Sequence, residues 1–271
     1  MNKFNGILLC TDLDGTLLRN DKSISRENLD AIEYFKSEGG YFTFVTGRMP
    51  YFAEDFYRAV KPNAPIGCIN GGGVYDYQVH RYLHAVTLPD SVMELVESID
   101  RTVEGIGIQI NTLERIYFSH DNAANENFRR WANVEPLFMD YHDVTEPIGK
   151  ILFVDDNEEK LLRVAKLLND HPRADEFDFV RSERTLYEIL PKGINKGAAI
   201  VPLAKSLGVD LSRTVAVGDY NNDIEMVKNA ALGYAVANAS EDLKAIADRV
   251  TVSNEEHAIA RIIEDLEADK F

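Results

Sequence analysis

The sequence predicts an α/β fold, a mostly parallel sheet with crossover helices, interrupted by an inserted α+β domain. Three observations carry that reading. Strand and helix patterns alternate from the N-terminus to Asn70, the alternation returns from Asn195 onward, and the block from about 82 to about 189 has a different, period-two texture. The core is therefore expected from 1–81 and 190–271, with 82–189 as the insert.

Along the chain, "FNGILLC" is a continuous apolar run of the kind that fills a strand buried on both faces. "SRENLDAIEYFKSEGG" sets Leu29, Ile32 and Phe35 at helical spacing, with Ser25 as N-cap and Gly39 as stop. "YFTFVT" is β-branched and aromatic, hence a strand; "MPYFAEDFYRAV" follows as a helix with Pro50 in its first turn, where a missing N–H costs nothing. "APIGCIN" reads as a third strand. In the insert, "GIGIQINTLERIYFSH" and "EFDFVRSERTLYEIL" suggest antiparallel strands with one wet face, beside the helices "DSVMELVESIDRTV" and "EEKLLRVAKLLND". Beyond it, "NKGAAIVPLAKSLG", "NDIEMVKNAA", "SEDLKAIA" (capped by Ser240) and "EEHAIARIIEDLEA" read as helices, and "TVAVGD", "LGYAVAN" and "DRVTVS" as strands.

Composition removes whole classes of partner. With 45% apolar and 27% charged residues the chain is an ordinary globular protein, but its formal charge of −16 repels nucleic-acid phosphates and anionic membranes, and no Lys/Arg cluster breaks that field. Cys10 and Cys68 lie in apolar runs, as small core residues of a reducing compartment do. "MNKFNGILLCTDLDG" is neither a signal peptide nor a membrane span, so the expectation is a cytoplasmic protein.

In an open parallel sheet, ligands gather outside the carboxyl ends of the strands. Here those ends read "CTDLDG", "VTGR", "CINGGG" and "VGDYNND", which supply Asp12, Asp14, Asp219, Asp223, Thr46, Arg48, Asn70 and a run of glycines. Carboxylates gathered so closely would force protons onto one another unless a cation sat among them. An oxygen-only set without His or Cys favours Mg2+. Beside a hydroxyl, a glycine turn and Lys196 at the opening of a helix, such an ion marks a phosphate site. Asp12 is then placed to be a nucleophile at phosphorus, and Asp14 to protonate the leaving oxygen and later deprotonate water.

"DLDGTLL", "TGR", "KGINKGAA" and "GDYNNDIEM", in that order, resemble the four motifs of the haloacid dehalogenase-like phosphatase superfamily, in particular its Cof-type branch. That resemblance spans almost the whole chain and implies a Rossmann-like core with a large α/β cap inserted between the second and third motifs. It implies that Asp12 is the nucleophile and a Mg2+ ligand, Asp14 the acid/base and a ligand through its backbone carbonyl, and Asp219 the third protein ligand. Asp223 would hold metal-bound water, while Asn222 and Lys196 would hold the phosphate or the nucleophile. Thr46 matches the phosphate-binding hydroxyl of the second motif, flanked by Gly47 and Arg48. The "NGGG" run containing Asn70 and Gly71 is similar to an Asn-Gly-Ala loop at the pocket mouth, with Gly72 in place of alanine. Asp14 argues for a phosphatase or phosphomutase, because transport ATPases of the superfamily carry Thr at that position and dehalogenases lack the acid.

The resemblance thus implies a Mg2+-dependent phosphatase of small phosphorylated metabolites, sugar phosphates foremost. A phosphomutase acting on hexose phosphates is the alternative, and a non-catalytic phosphometabolite sensor a third reading, for which an acid/base would have no use. The insert would act as a cap that shields the intermediate and contacts the leaving group, with 120–131 and 181–187 as candidate contacts. Asp155 and Asp156 of "VDD" have no companion motif and read as helix-capping acids. His80 and His84 have the spacing of a helical metal pair but lie in a strand pattern, where they would be about 13 Å apart. Trp131 and the tyrosines of the insert read as packing or surface residues.

Overall fold

A computed structural model of the protein describes residues 2–132 and 134–269; the side chains of Trp131 and Glu183 also lie outside the described set. The chain divides into two compact units, Met1–His84 with Asn195–Phe271, and Ala85–Ile194.

The first unit opens with β1 (Leu8–Thr11), the buried part of the apolar run, then α1 (Arg26–Ser37), β2 (Tyr41–Phe44) and α2 (Pro50–Val60). Ser25 caps α1 by accepting from the Asn28 N–H, and Pro50 occupies the first turn of α2. The expected third strand departs from the parallel pattern. β3 (Ile66–Cys68) touches β2 through one parallel bridge, Val45 to Gly67, and pairs antiparallel with β4 (Gly73–Asp76) in a small sheet completed by β5 (Arg81–Ala85). The cause is the turn that follows β3, where Ile69, Asn70 and Gly71 all have positive φ and reverse the chain. Residues 76–85 are likewise a bent hairpin and not a continuous strand: His80, at φ 49°, sits in the turn and His84 on β5.

The second unit carries α3 (Val92–Thr102), β6 (Gly107–Thr112), β7 (Ile116–His120), α4 (Ala123–Ala132), β8 (Ile148–Val154), α5 (Glu158–Asn169), β9 (Phe177–Glu183) and β10 (Leu186–Pro191). Its sheet is antiparallel throughout, in the order β7-β6-β8-β10-β9. The apolar stripes of α3 and α5, including Leu95, Ile99, Val164 and Leu168, pack with Ile108, Ile110, Ile151, Phe153 and Ile189. The opposite face was expected to be wet, yet Gln109, Asn111, Lys150 and Glu188 are buried on it. The charges offset each other, since Lys150 pairs with Glu188 at 2.9 Å, and Gln109 donates to Asn125 of α4 at 2.7 Å while its own Oε1 is buried without a hydrogen-bond partner. The expected "VDD" cap is also shifted by one position, since Asn157 caps α5 and Asp155 accepts from its N–H.

The chain then returns to the first unit. Lys196–Ala199 form a 3-10 turn leading into α6 (Ile200–Leu207); β11 (Thr214–Gly218), α7 (Ile224–Asn229), β12 (Leu232–Ala235), α8 (Glu241–Ile246), β13 (Arg249–Val250) and α9 (Ala258–Asp269) follow. Its large sheet runs β13-β12-β11-β1-β2, all parallel. β1 is the switch point. From it the chain proceeds outward to β2 on one side and, after the insert, to β11, β12 and β13 on the other, so a crevice opens at the carboxyl ends of β1 and β11.

Candidate active site

Register brings the two acidic motifs together. Leu8 to Thr11 pair with Thr214 to Val217, and the Asp12 N–H extends the ladder by donating to the Val217 carbonyl at 2.9 Å. Asp12 therefore leaves the end of β1 alongside Asp219, which leaves the end of β11. The turn after β1 passes Asp219 so closely that a Cβ on Gly15 (φ +81°) would overlap its carboxylate. Thr16 Oγ1 donates to Asp219 Oδ1 at 3.3 Å, and the Asp219 carbonyl is fixed by the Ser240 N–H at 2.8 Å.

Asp12, Asp219 and Asp223 each offer a carboxylate oxygen within 4.8 Å of the others. Lys196 joins them from the other side of the insert in the sequence: its Nζ donates to Asp12 Oδ1 at 2.7 Å and Asp223 Oδ1 at 2.6 Å. Water scarcely reaches these charges, with Asp12 4%, Lys196 2% and Asp223 0% exposed. Both oxygens of Asp223 are engaged, because the second accepts from the N–H groups of Asp219 and Tyr220 at 2.9 and 3.1 Å while the first keeps one lone pair beyond the Lys196 bond. It works as a brace between the Lys196 turn and the end of β11.

The electrostatics are those of a site short of positive charge. Burial, then the charges of Asp223 and Asp219, push the Asp12 carboxyl well above the usual range even though Lys196 opposes the shift. Burial and Asp223 likewise push Asp219 up to about 6, against the pull of Lys196. Burial lowers the Lys196 ammonium, but Asp12 and Asp223 outweigh it and hold the group firmly protonated. One ammonium cannot neutralise three clustered carboxylates, and an all-oxygen donor set with Asp12 and Asp219 at its centre fits a hard divalent cation such as Mg2+.

Asp14 stands apart from this cluster. Its carboxylate is gripped by Arg48, Nε to Oδ2 and Nη2 to Oδ1 both at 2.9 Å, and by Lys22 at 2.8 Å. Burial pushes Asp14 up, but Arg48 and Lys22 together overcome it and hold the group below its ordinary value. The Arg48 guanidinium also lies over the Phe56 ring, 4.9 Å from its centroid. Lys22 is a residue that motif reading missed. It reaches Asp14 because the chain folds back after the first motif, through an Asp14 to Leu18 bridge and a left-handed Lys22 (φ 66°), with no glycine to announce the turn.

The remaining candidates are spread around the rim of this arrangement. Thr46 is buried after β2, and its hydroxyl oxygen accepts from the Arg48 N–H at 3.2 Å. Asn70 is buried and its N–H donates to the Thr46 carbonyl at 3.1 Å. Gly47 passes so near Asn70 that an added Cβ would lie 2.8 Å from Asn70 Oδ1. Asn222 is half-buried in the 3-10 turn Asn221–Asp223. Within the second unit, three arginines of 120–131 and 181–187 are engaged locally, Arg129 with Asp121, Arg130 with Glu126 and Arg181 with Glu158.

Comparison with known proteins shows the family and the fold. The family model for haloacid dehalogenase-like hydrolases matches residues 9–263. The 5-amino-6-(5-phospho-D-ribitylamino)uracil phosphatase YitU of Bacillus subtilis (strain 168) is 29% identical over 265 residues, 95% of this chain and 96% of the relative. The pyridoxal phosphate phosphatase YbhA of Escherichia coli (strain K12) is 25% identical over 269 residues, 94% and 97% of the two chains. Among solved structures, a haloacid dehalogenase-like hydrolase from Bacteroides thetaiotaomicron superposes with a TM-score of 0.86 at 26% identity, over 96% of this chain and 99% of that one.

Proposed function

The chain belongs to the haloacid dehalogenase-like hydrolases, and from that premise we propose that it is a Mg2+-dependent phosphatase of small phosphorylated metabolites that works through an aspartyl phosphate on Asp12. The observation that carries the reading is the buried contact of Lys196 with Asp12 and Asp223, beside Asp219, at the switch point of the parallel sheet.

In the proposed reaction, an Asp12 carboxylate oxygen attacks phosphorus and the ester oxygen departs with a proton from Asp14. Water then attacks the phosphorus of the aspartyl phosphate, gives its proton to Asp14, and releases inorganic phosphate with Asp12 restored. Lys196 holds the attacking carboxylate in place and keeps a positive charge beside the phosphoryl oxygens; Thr46, Asn222 and backbone N–H groups next to Gly47 would add neutral donors. Mg2+, held by Asp12, Asp219 and the Asp14 carbonyl, with Asp223 on its water, would supply charge neutralisation for the phosphoryl group. Arg48 must release Asp14 for proton transfer, and its side chain would then be available to the substrate. Sugar phosphates are the proposed substrate class, in keeping with a relative whose name places a phosphate on a ribityl chain.

The test is hydrolysis of a chromogenic phosphate monoester with Mg2+ or EDTA. Turnover is expected with Mg2+ only and should vanish in Asp12→Asn; unimpaired turnover in that variant overturns the assignment. Feeding a hexose phosphate separates hydrolysis, which releases inorganic phosphate, from mutase chemistry, which yields an isomer.

A further inference from the structure

We propose that the strained turn Ile69–Asn70–Gly71 is the device that positions Lys196, with Gly71 as its positioning residue. This goes one step beyond the reading of Lys196 as a group that contacts the phosphate or its nucleophile, and rests on that reading.

Three successive residues of this turn have positive φ: Ile69 at 54°, Asn70 at 51° and Gly71 at 93°. A β-branched residue such as Ile69 avoids that region and persists in it only where surrounding contacts over-determine the backbone. Those contacts are visible on both sides of the turn. On one side, the Ile69 N–H donates to the Arg48 carbonyl at 3.0 Å and the Asn70 N–H to the Thr46 carbonyl at 3.1 Å, tying the turn to the loop that carries Thr46.

On the other side, Gly71 abuts the peptide that carries the lysine. A Cβ at Gly71 would overlap the Asn195 carbonyl oxygen outright and lie 3.1 Å from Lys196 Cα. Across that peptide, a Cβ on Gly197 would meet the Glu225 carbonyl oxygen at 2.5 Å. The Lys196 backbone is thus clamped between two other backbones that approach it only because both contact points lack side chains. Asn195 completes the clamp by accepting from the Ala198 N–H at 3.2 Å. The ammonium at the end of this fixed stem reaches Asp12 and Asp223 together. The turn therefore sets the distance between the Thr46 loop and the lysine, two parts of the site separated in sequence by the entire insert.

The test compares Gly71→Ala with Gly6→Ala in the full chain. Both place a side chain on left-handed backbone, but Gly6 (φ +75°) has nothing within 4 Å of an added Cβ. The readout is the rate at which Lys196 is reductively methylated, measured by mass spectrometry on metal-free protein. Lys196 should be protected in the wild type and in Gly6→Ala and labelled at least about tenfold faster in Gly71→Ala, as local opening of the clamp demands. On the chromogenic ester, Gly71→Ala should lower kcat by about 100-fold with KM little changed, the size of effect that a displacement of about 1 Å produces. If Gly71→Ala does not fold, hydrogen exchange of the wild type takes its place: the Ile69 and Asn70 amides, bonded to the Arg48 and Thr46 carbonyls, should open to the same extent as Lys196 becomes open to labelling. Wild-type protection of Lys196 in a folded Gly71→Ala variant overturns the proposal, as does labelling of wild-type Lys196 at least about tenfold faster than the opening of the Ile69 and Asn70 amides allows. Labelling is read without turnover, so an inactive wild type with the expected labelling pattern would sink the phosphatase reading and leave the clamp standing.

Discussion

At the scale of single residues, the site is governed by how few positive charges serve its buried acids, and Asp219 makes that testable. Its carboxyl is pushed up to about 6, first by burial, whereas an aspartate in an unfolded chain titrates near about 3.9. Between those values the folded chain keeps a proton that the unfolded chain has released, so without a cation the Asp219 contribution costs stability as pH rises from about 4 through about 6. Asp219→Asn has no proton to lose. Its Tm in EDTA, relative to wild type, should therefore rise as pH climbs from about 4.5 to about 7, and saturating Mg2+ should shrink or reverse the gap, since only the wild type gains a ligand. A gap in EDTA that falls over that range would show that Asp219 is not raised. The residues of this cluster were legible in the sequence because strand ends announce themselves: apolar runs stop, and Asp12 and Asp219 follow. The grip of Arg48 and Lys22 on Asp14 was not. Its geometry depends on the fold-back at Lys22, where Asn20, Asp21 and Ser23 mark a turn but nothing local says that the lysine side chain will meet Asp14.

At the scale of elements, periodicity found the helices and strands that bury one stripe against a core, and it missed those whose form is set by a neighbour. α1 is of the first kind. Ile32 and Phe35 are buried, Ser25 caps the helix, and Asn28 reaches across to accept from the Ala260 N–H at 3.0 Å, pinning α1 to α9. Losing the cap hydroxyl should cost about 1 kcal/mol. Ser25→Ala is expected to lower Tm by about 2–4 °C, with kcat on the chromogenic ester unchanged because the cap touches nothing at the ends of β1 and β11; a loss of kcat would show that α1 sets the site. β3 and the sheet of the second unit are of the other kind. β3 looks like one more parallel strand until the turn at Ile69 reverses it, and that turn is held by hydrogen bonds to the Thr46 loop that no local pattern encodes. The polar residues Gln109, Lys150 and Glu188 alternate as a wet face would, but they are buried because their partners, Asn125 and one another, come from other elements.

At the scale of the whole molecule, the first and second units each have a hydrophobic core of their own. Leu8, Cys10, Ala216, Ile200 and Leu203 belong to one, and Leu95, Ile99, Ile108, Phe153 and Leu168 to the other. Every carboxylate assigned to the cation and the lysine assigned to the phosphate belong to the first unit, although Asp12 precedes the insert and Lys196, Asp219 and Asp223 follow it. Ligand linkage follows from that distribution. A cation at about 100 times its Kd stabilises the state that binds it by about 2.7 kcal/mol, which slows exchange through global opening of that unit by about 100-fold. Hydrogen exchange with and without Mg2+ should therefore show the slowest amides of β1 and β11 gaining protection of that order, while those of β6 and β8 change by less than about twofold. Equal gains in both sheets would mean that the two units open as one cooperative body. In that case the insert could not move independently of the acids, and substrate selection would have to come from side chains around the ends of β1, β2 and β11 themselves.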